Sequence, residues 1–257
     1  MAYRSSFSNQ ISMNDSFELL SDRKKNVVLK SWAKGFADTV YPAIDSEAFK
    51  VLYKDNPASG WNIGIAESHD LIRWNKVGEI TPVPGEDYEK NGLCAPGALV
   101  KDGKVNLFYQ TYGNGAKDAI CHAVSEDGIN FKRNPTNPIF RPNGDWNCGR
   151  AIDAEVCEFK GKYYLYFATR DKDFKIQMQG VAVAPGDTDF SRDDWKLAID
   201  EAILYPELTW EGECIEGASI AKKNGKLFMF YAGAYNNAPQ QVGVAVSKDG
   251  IHWERLF

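Results

Sequence analysis

Three acidic residues stand where three separate apolar runs begin: Asp38 in GFADTVYPAI, Asp153 in GRAIDAEVCEF and Glu216 in GECIEGASI. Ala37, Ile152 and Ile215 immediately precede them. Each carboxyl group therefore enters a hydrophobic segment rather than a polar loop, a setting that desolvates a carboxylate and shifts its pKa. Two carboxyl groups across a cleft can hydrolyse a glycosidic bond, one protonating the leaving oxygen and the other activating water. A third can orient the acid and raise its pKa by like-charge repulsion. The competing structural reading is that these acids cap turns or pair with nearby arginines. It accounts for any one of them more easily than for three at equivalent places in a repeat.

That repeat is marked by a short turn. SKDGIHW at Ser247–Trp253 is echoed by SEDGINF at Ser125–Phe131 and SHDLIRW at Ser68–Trp74. Ser68 and Ser125 are 57 residues apart, and Ser247 follows 122 later. Around each turn lies a longer unit: an apolar run, a tight turn, an aromatic-rich run, a Gly-Val-Ala-Val-like run, then the Ser-x-Asp-Gly box. GALVKDGKVNLFYQTY, AEVCEFKGKYYLYFATR and GASIAKKNGKLFMFYAG begin the second, third and fourth units, and YPAIDSEAFKVLYKD begins a looser first one. Short Val, Tyr, Phe and Leu runs bounded by DG, NG and KG read as strand–hairpin–strand. Their recurrence at about 60 residues predicts an all-β propeller of the five-bladed type, with four blades visible and the fifth incomplete, truncated or supplied by the N-terminus. The repeated turn is architectural, its Trp or Phe packing between blades. In such a blade the entrance to the innermost strand and the exit from the second strand share one face near the axis, which is where catalytic groups collect.

GFAD, CAPG, AIDAEV…GKYYLYF and IEGAS…NGKLFMFYAG, in that order and at that spacing, resemble the propeller hydrolases of glycoside hydrolase family 43, whose superfamily includes families 32 and 68. The resemblance covers roughly 33–257. It implies that Asp38 is the general base, Asp153 the residue that tunes the acid, and Glu216 the general acid. The implied reaction is hydrolysis with inversion, on arabinofuranosides or xylosides. Thr39 follows Asp38 where the family usually has Pro, leaving Asp45 as the alternative base, and Ala218 stands where EGP is usual. Glu213–Cys214 resembles the Glu-Cys pair of the fructosidase relatives, but the distance to the Gly225 turn favours Glu216. A fructosidase-like hydrolase and a non-catalytic carbohydrate-binding propeller are the alternative functions. The fifth blade of the family commonly carries an axial histidine associated with a metal ion; no residue here matches it, so neither metal nor cofactor is expected.

The same face argument selects the substrate-binding candidates. Arg150 lies three residues before Asp153. Arg170 and Asp171 leave the second strand of the third unit, Tyr112 and Asn236 do so in theirs, and Trp210 precedes the fourth inner strand. Trp146 precedes the third inner strand in the same way, as a second candidate sugar-stacking wall. His69 and His252 lie in the repeated turns and His122 in a strand, so none is a candidate base.

Composition narrows the partners. A formal net charge of −5 without a long Lys/Arg run excludes a nucleic-acid footprint. Five scattered cysteines form no CxxC pair, which argues against a disulfide framework or zinc cluster and for a reducing compartment. The first twenty residues have no apolar core of the signal-peptide kind, so the chain as given reads as cytoplasmic, or as secreted or periplasmic if a leader was removed. The whole chain is expected to form one catalytic domain, with residues 1–36 an N-terminal arm or closing strands. An open ring would expose sheet edges and favour a homodimer.

Overall fold

A computed structural model describes residues 37–42, 49–55, 61–69, 73–234 and 239–256. The expectations for 1–36 and for the closure of the ring fall outside them. The described residues form four sheets, each a four-stranded antiparallel meander in which chain order is spatial order. The first comprises β1 (Ala37–Pro42), β2 (Phe49–Asp55), β3 (Asn62–Ser68) and β4 (Asn75–Ile80). The second comprises β5 (Leu93–Lys101), β6 (Lys104–Thr111), β7 (Ile120–Ser125) and β8 (Lys132–Arg133). The third comprises β9 (Ile152–Phe159), β10 (Lys162–Arg170), β11 (Gln177–Pro185) and β12 (Lys196–Leu197). The fourth comprises β13 (Ile215–Lys223), β14 (Lys226–Gly233), β15 (Gln241–Ser247) and β16 (Trp253–Arg255). β1 packs on β5, β5 on β9 and β9 on β13, so the first strand of every sheet is innermost and the sheets are consecutive propeller blades.

The local chemistry explains these boundaries. Asp102–Gly103, Lys160–Gly161 and Asn224–Gly225 each connect an inner strand to its neighbour, and all six residues have positive φ. That is the type I′ turn, whose twist matches the flanking strands. The aromatic-rich second strands β6 and β10 are buried on both faces. Along β10, Tyr163, Leu165 and Phe167 enter the core shared with the second blade, while Tyr164 and Tyr166 enter the core shared with the fourth. A period of two thus divides one strand between two cores, and three such interblade cores hold four blades together. Gly97 shows how tightly the blades approach: a Cβ there would stand 2.5 Å from the carbonyl oxygen of Ala154.

The Ser-x-Asp-Gly boxes are built alike. Ser125 Oγ and Ser247 Oγ each accept the N–H of the following glycine, at 2.9 and 2.8 Å. Asp127 Oδ1 accepts the N–H groups of Ile129 and Asn130, and Asp249 Oδ1 those of Ile251 and His252. Trp253 then meets Tyr166 of the third blade edge-on, with centroids 5.6 Å apart, and Tyr166 Oη donates to the Gly250 carbonyl. The turn is architectural, as its sequence indicates.

A second repeated device lies beneath it. Glu89 and Glu211, both wholly buried, stand 122 residues apart, as do Tyr109 and Tyr231 and also Arg133 and Arg255. Tyr109 Oη donates to Glu89 Oε1 at 2.5 Å and Arg133 Nε to the same oxygen at 2.9 Å. Tyr231 Oη and Arg255 Nε do likewise to Glu211, at 2.7 and 2.9 Å. Each carboxylate also accepts backbone N–H groups: Val83 for Glu89, and Glu207 and Leu208 for Glu211. Burial alone would push the Glu211 pKa up, but those N–H groups, Tyr231 and Arg255 more than offset it and hold the carboxyl below its ordinary value. Removing the cation strands a buried charge, whereas removing the Tyr109 phenol deletes its donation to Glu89 and a longer, 3.3 Å bond from Asn137 Nδ2. Arg133→Met is therefore expected to cost about 3–5 kcal/mol and Tyr109→Phe about 1–2 kcal/mol, measured by urea unfolding; equal costs would show that the ion pair is not the stronger element.

Candidate active site

The three acids occupy one structural position. Asp38, Asp153 and Glu216 are each the second residue of an innermost strand, β1, β9 and β13. At each place the pairing with the neighbouring strand shifts register: between Ala37 and Thr39, opposite Tyr166–Ala168, and between Glu216 and Ser219. β5 has the same irregularity between Cys94 and Gly97. These are β-bulges, which bend a strand and re-aim a side chain. The bulge puts Asp153 at φ +53° and Gly217 at φ +61°. Asp tolerates that left-handed geometry better than most residues, and Gly adopts it without strain. The side chain of Asp38, like Asp45 and Asn236, lies outside the described residues.

Buried glutamines on the preceding blade pin the bulges. Gln110, at the end of β6, accepts the Asp153 N–H through Oε1 at 2.7 Å. Gln179 in β11, with its amide oriented to satisfy both ends, accepts the Gly217 N–H at 3.1 Å and donates to the Phe167 carbonyl at 3.0 Å. Two residues earlier on the same face, Gln177 donates from Nε2 to Glu216 Oε2 at 2.5 Å. Its backbone N–H donates to the Glu213 carbonyl, which aligns the start of β11 with the entrance to β13.

Glu216 is half-buried, and its pKa is pushed up to about 7. Burial is the main cause and the neighbouring Asp153 carboxylate the second; Gln177, Arg150 and Arg170 act in the opposite sense. Glu213, the other acid in this segment, is exposed. Cys214, fully buried between them, remains a thiol because burial and the charges of Glu216 and Asp153 push its pKa up.

The predicted binding residues divide. Arg150 and Arg170 come to the acid: both donate to Gln177 Oε1, from Nη1 at 3.4 Å and Nε at 3.1 Å. Phe174 sits against both guanidinium groups, with its ring centroid 4.6 Å from Arg170 and 5.8 Å from Arg150. Asp171 shapes the adjoining loop, its Oδ1 accepting the N–H groups of Lys175 and Ile176. Tyr112 is exposed and meets Trp61 edge-on at 5.8 Å. Trp210 stacks on Tyr231 at 5.9 Å and covers Gly233, and Trp146 packs against the core between the second and third blades, so both rings have packing partners. Sequence reasoning missed Gln177, Gln110, Gln179 and Phe174. A Gln at alternate positions of an otherwise apolar strand, QMQGVAV, was the available signal.

Among the described residues no cluster of three or more His, Cys, Asp or Glu side chains could hold a metal ion. His122 is buried between Asn106 and Asn134, and burial lowers its pKa to about 4. No helix among the described residues is long and apolar enough to cross a membrane.

The model of the glycosyl hydrolases family 43 matches residues 35–251. The chain belongs to that family. Among solved structures, a thermostable family-43 glycoside hydrolase superposes with a TM-score of 0.64 at 21% identity, over 89% of this chain and 70% of that one. An alpha-L-arabinofuranosidase from Lactobacillus brevis superposes with a TM-score of 0.63 at 16% identity, over 84% and 70%. Among curated proteins, sucrose-6-phosphate hydrolase of Bacillus subtilis (strain 168) is 28% identical over 116 residues, 43% of this chain. The match spans only 23% of that protein's length.

A carboxyl group whose pKa is raised by folding binds its proton more tightly in the native than in the unfolded state. Native stability therefore falls as pH rises from the ordinary glutamate value of 4.5 towards about 7. Glu216→Gln removes this loss. The variant is expected to gain on the order of 2–3 kcal/mol over wild type at pH 8 and little at pH 4, read from denaturant midpoints; a gain independent of pH would contradict the assignment.

Proposed function

We propose that the protein hydrolyses a glycosidic bond of the arabinofuranoside or xyloside type with inversion at the anomeric carbon. Glu216 is the general acid, Asp153 maintains its proton, and Asp38 is the general base. The observation that carries this reading is the placement of Glu216 and Asp153 at the bulged entrances of adjacent innermost strands, with Gln177 against Glu216, a setting in which burial and the Asp153 charge push the Glu216 pKa up to about 7. As the bond between the anomeric carbon and the leaving oxygen breaks, the Glu216 proton passes to that oxygen. Water attacks from the opposite face and gives a proton to the Asp38 carboxylate, and exchange with solvent restores both groups. Arg150 and Arg170 belong to the wall beside the leaving group, where cations hydrogen-bond hydroxyl oxygens. The similarity to a sucrose-6-phosphate hydrolase favours one other substrate class, a fructofuranoside, for which the second carboxylate would act as nucleophile.

A panel of aryl glycosides and oligosaccharides of arabinose, xylose, galactose and fructose tests this directly. One sugar is expected to turn over, Glu216→Gln to lower kcat on unactivated substrates by about 10²–10⁴, and NMR to show the inverted anomer first. Turnover confined to fructosides with retention would select the other class. Tight binding without product, unaffected by Glu216→Gln, would make the protein a carbohydrate-binding propeller. The alkaline limb of kcat/KM should fall near pH 7. Asp153→Asn should move that limb to lower pH, since the Asp153 charge raises the Glu216 pKa; a limb that stays in place would remove Asp153 from its role.

A further inference from the structure

We propose that Gln177 is a positioning residue that decides which oxygen of Glu216 carries the transferable proton, reserving Oε2 as an acceptor and leaving Oε1 as the acidic, reacting oxygen. This rests on the reading of Glu216 as the acid and adds the atom through which it acts.

Gln177 is only 2% exposed, and every polar atom of its amide is engaged. Its oxygen accepts from Arg170 Nε at 3.1 Å and Arg150 Nη1 at 3.4 Å; its nitrogen donates to Glu216 Oε2 at 2.5 Å and faces Cys214 Sγ at 3.6 Å. A guanidinium group has donors and no acceptor, so the amide oxygen must face the arginines and the NH₂ must face the glutamate. Turning the amide over would set its donors against two cations and its oxygen against a carboxyl oxygen. A proton on Oε2 would point at the NH₂ group, donor against donor. Oε1 also faces an amide donor among the described residues, Gln240 Nε2, but that residue is exposed, its contact is 3.3 Å long and it is shared with the Ala234 carbonyl, so it yields where the buried Gln177 cannot and the proton goes to Oε1.

The arginines are themselves held. Arg170 Nη1 donates to the Phe174 carbonyl at 3.2 Å, Phe174 covers both guanidinium groups, and Arg150 Nε lies 3.7 Å from Asp118 Oδ2. The amide therefore stands between the cations and the acid. A direct ion pair would keep Glu216 ionised, whereas the amide passes on orientation and leaves Asp153 and burial free to favour the proton. The charged and titratable groups facing Glu216 are Asp153 from β9, Arg150 before it, Arg170 from β10 and the Cys214 thiol; the side chain of Asp38 lies outside the described residues.

Gln177→Met keeps the length and removes the donor, and Gln177→Glu keeps the arginine contacts while removing the donor, should the first variant fold poorly. With either, kcat on an unactivated glycoside is expected to fall about 10–100-fold, and on the dinitrophenyl glycoside of the same sugar by less than about threefold, because that leaving group needs no proton. KM should stay unchanged and the alkaline limb should move to higher pH. Carboxyl ¹³C titration of glutamate-labelled protein, with the Glu216 signal assigned by its loss in Glu216→Gln, should show the same upward displacement without any substrate. Equal losses on both leaving groups with an unmoved titration would overturn the proposal. Full activity of Glu216→Gln on the unactivated substrate would instead sink the reading of Glu216 as the acid.

Discussion

The buried Glu–Tyr–Arg triad is the interaction on which the site depends. In the fourth blade it joins the segment before the innermost strand, the middle of the second strand and the outermost strand, through Glu211, Tyr231 and Arg255. The Glu211 carbonyl also accepts the N–H groups of Cys214 and Ala234. From Glu211 to Glu216 is five residues, so a wholly buried carboxylate helps to fix the place at which Glu216 enters β13. A charged group at zero exposure is tolerated only because a guanidinium, a phenol and two backbone N–H groups satisfy it together. The second blade repeats the device around Glu89, although its inner strand carries no acid. Its first purpose is therefore to lock a loop to a blade, and the fourth blade uses the same lock to place an acid.

The wholly buried Glu211 and the half-buried Glu216 show how environment moves the pKa of one residue type in opposite directions. Both are withdrawn from water, which disfavours the charged form. Glu211 has a contacting cation and direct donors, and stays ionised. Glu216 has a neighbouring carboxylate and keeps its cations one amide away, so its pKa is raised. The difference lies in whether the arginine reaches the carboxyl group or stops at Gln177. The destabilisation that Glu216 and Asp153 impose is carried by the three interblade cores, a division common where local rules are broken at a functional site.

Much of this was legible in the residues. Period-two runs, two-residue hairpin loops and the 122-residue offset between Ser125 and Ser247 indicate four antiparallel blades, because strand geometry and positive-φ turns are local properties. The same offset links Glu89, Tyr109 and Arg133 to Glu211, Tyr231 and Arg255, so the triads were visible in principle as a repeat of polar residues within apolar runs. The placement of Asp38, Asp153 and Glu216 at strand entrances follows from the apolar residue before each acid.

The sequence by itself thus determined the strands, the blade repeat and the positions at which carboxyl groups enter the sheet, since each depends on neighbours within a few residues along the chain. Tertiary structure alone decided what surrounds those groups. Gln177 reaches Glu216 across 39 residues and Gln110 reaches Asp153 across 43, each from one blade to the next. Whether Trp210 faces a cleft or stacks on Tyr231, and whether Arg150 and Arg170 touch the acid or an intervening amide, depends on how blades meet. A strand carries its own hydrogen-bonding and period in its sequence, but the partner across an interblade gap is chosen by twist, bulge and packing summed over the whole sheet.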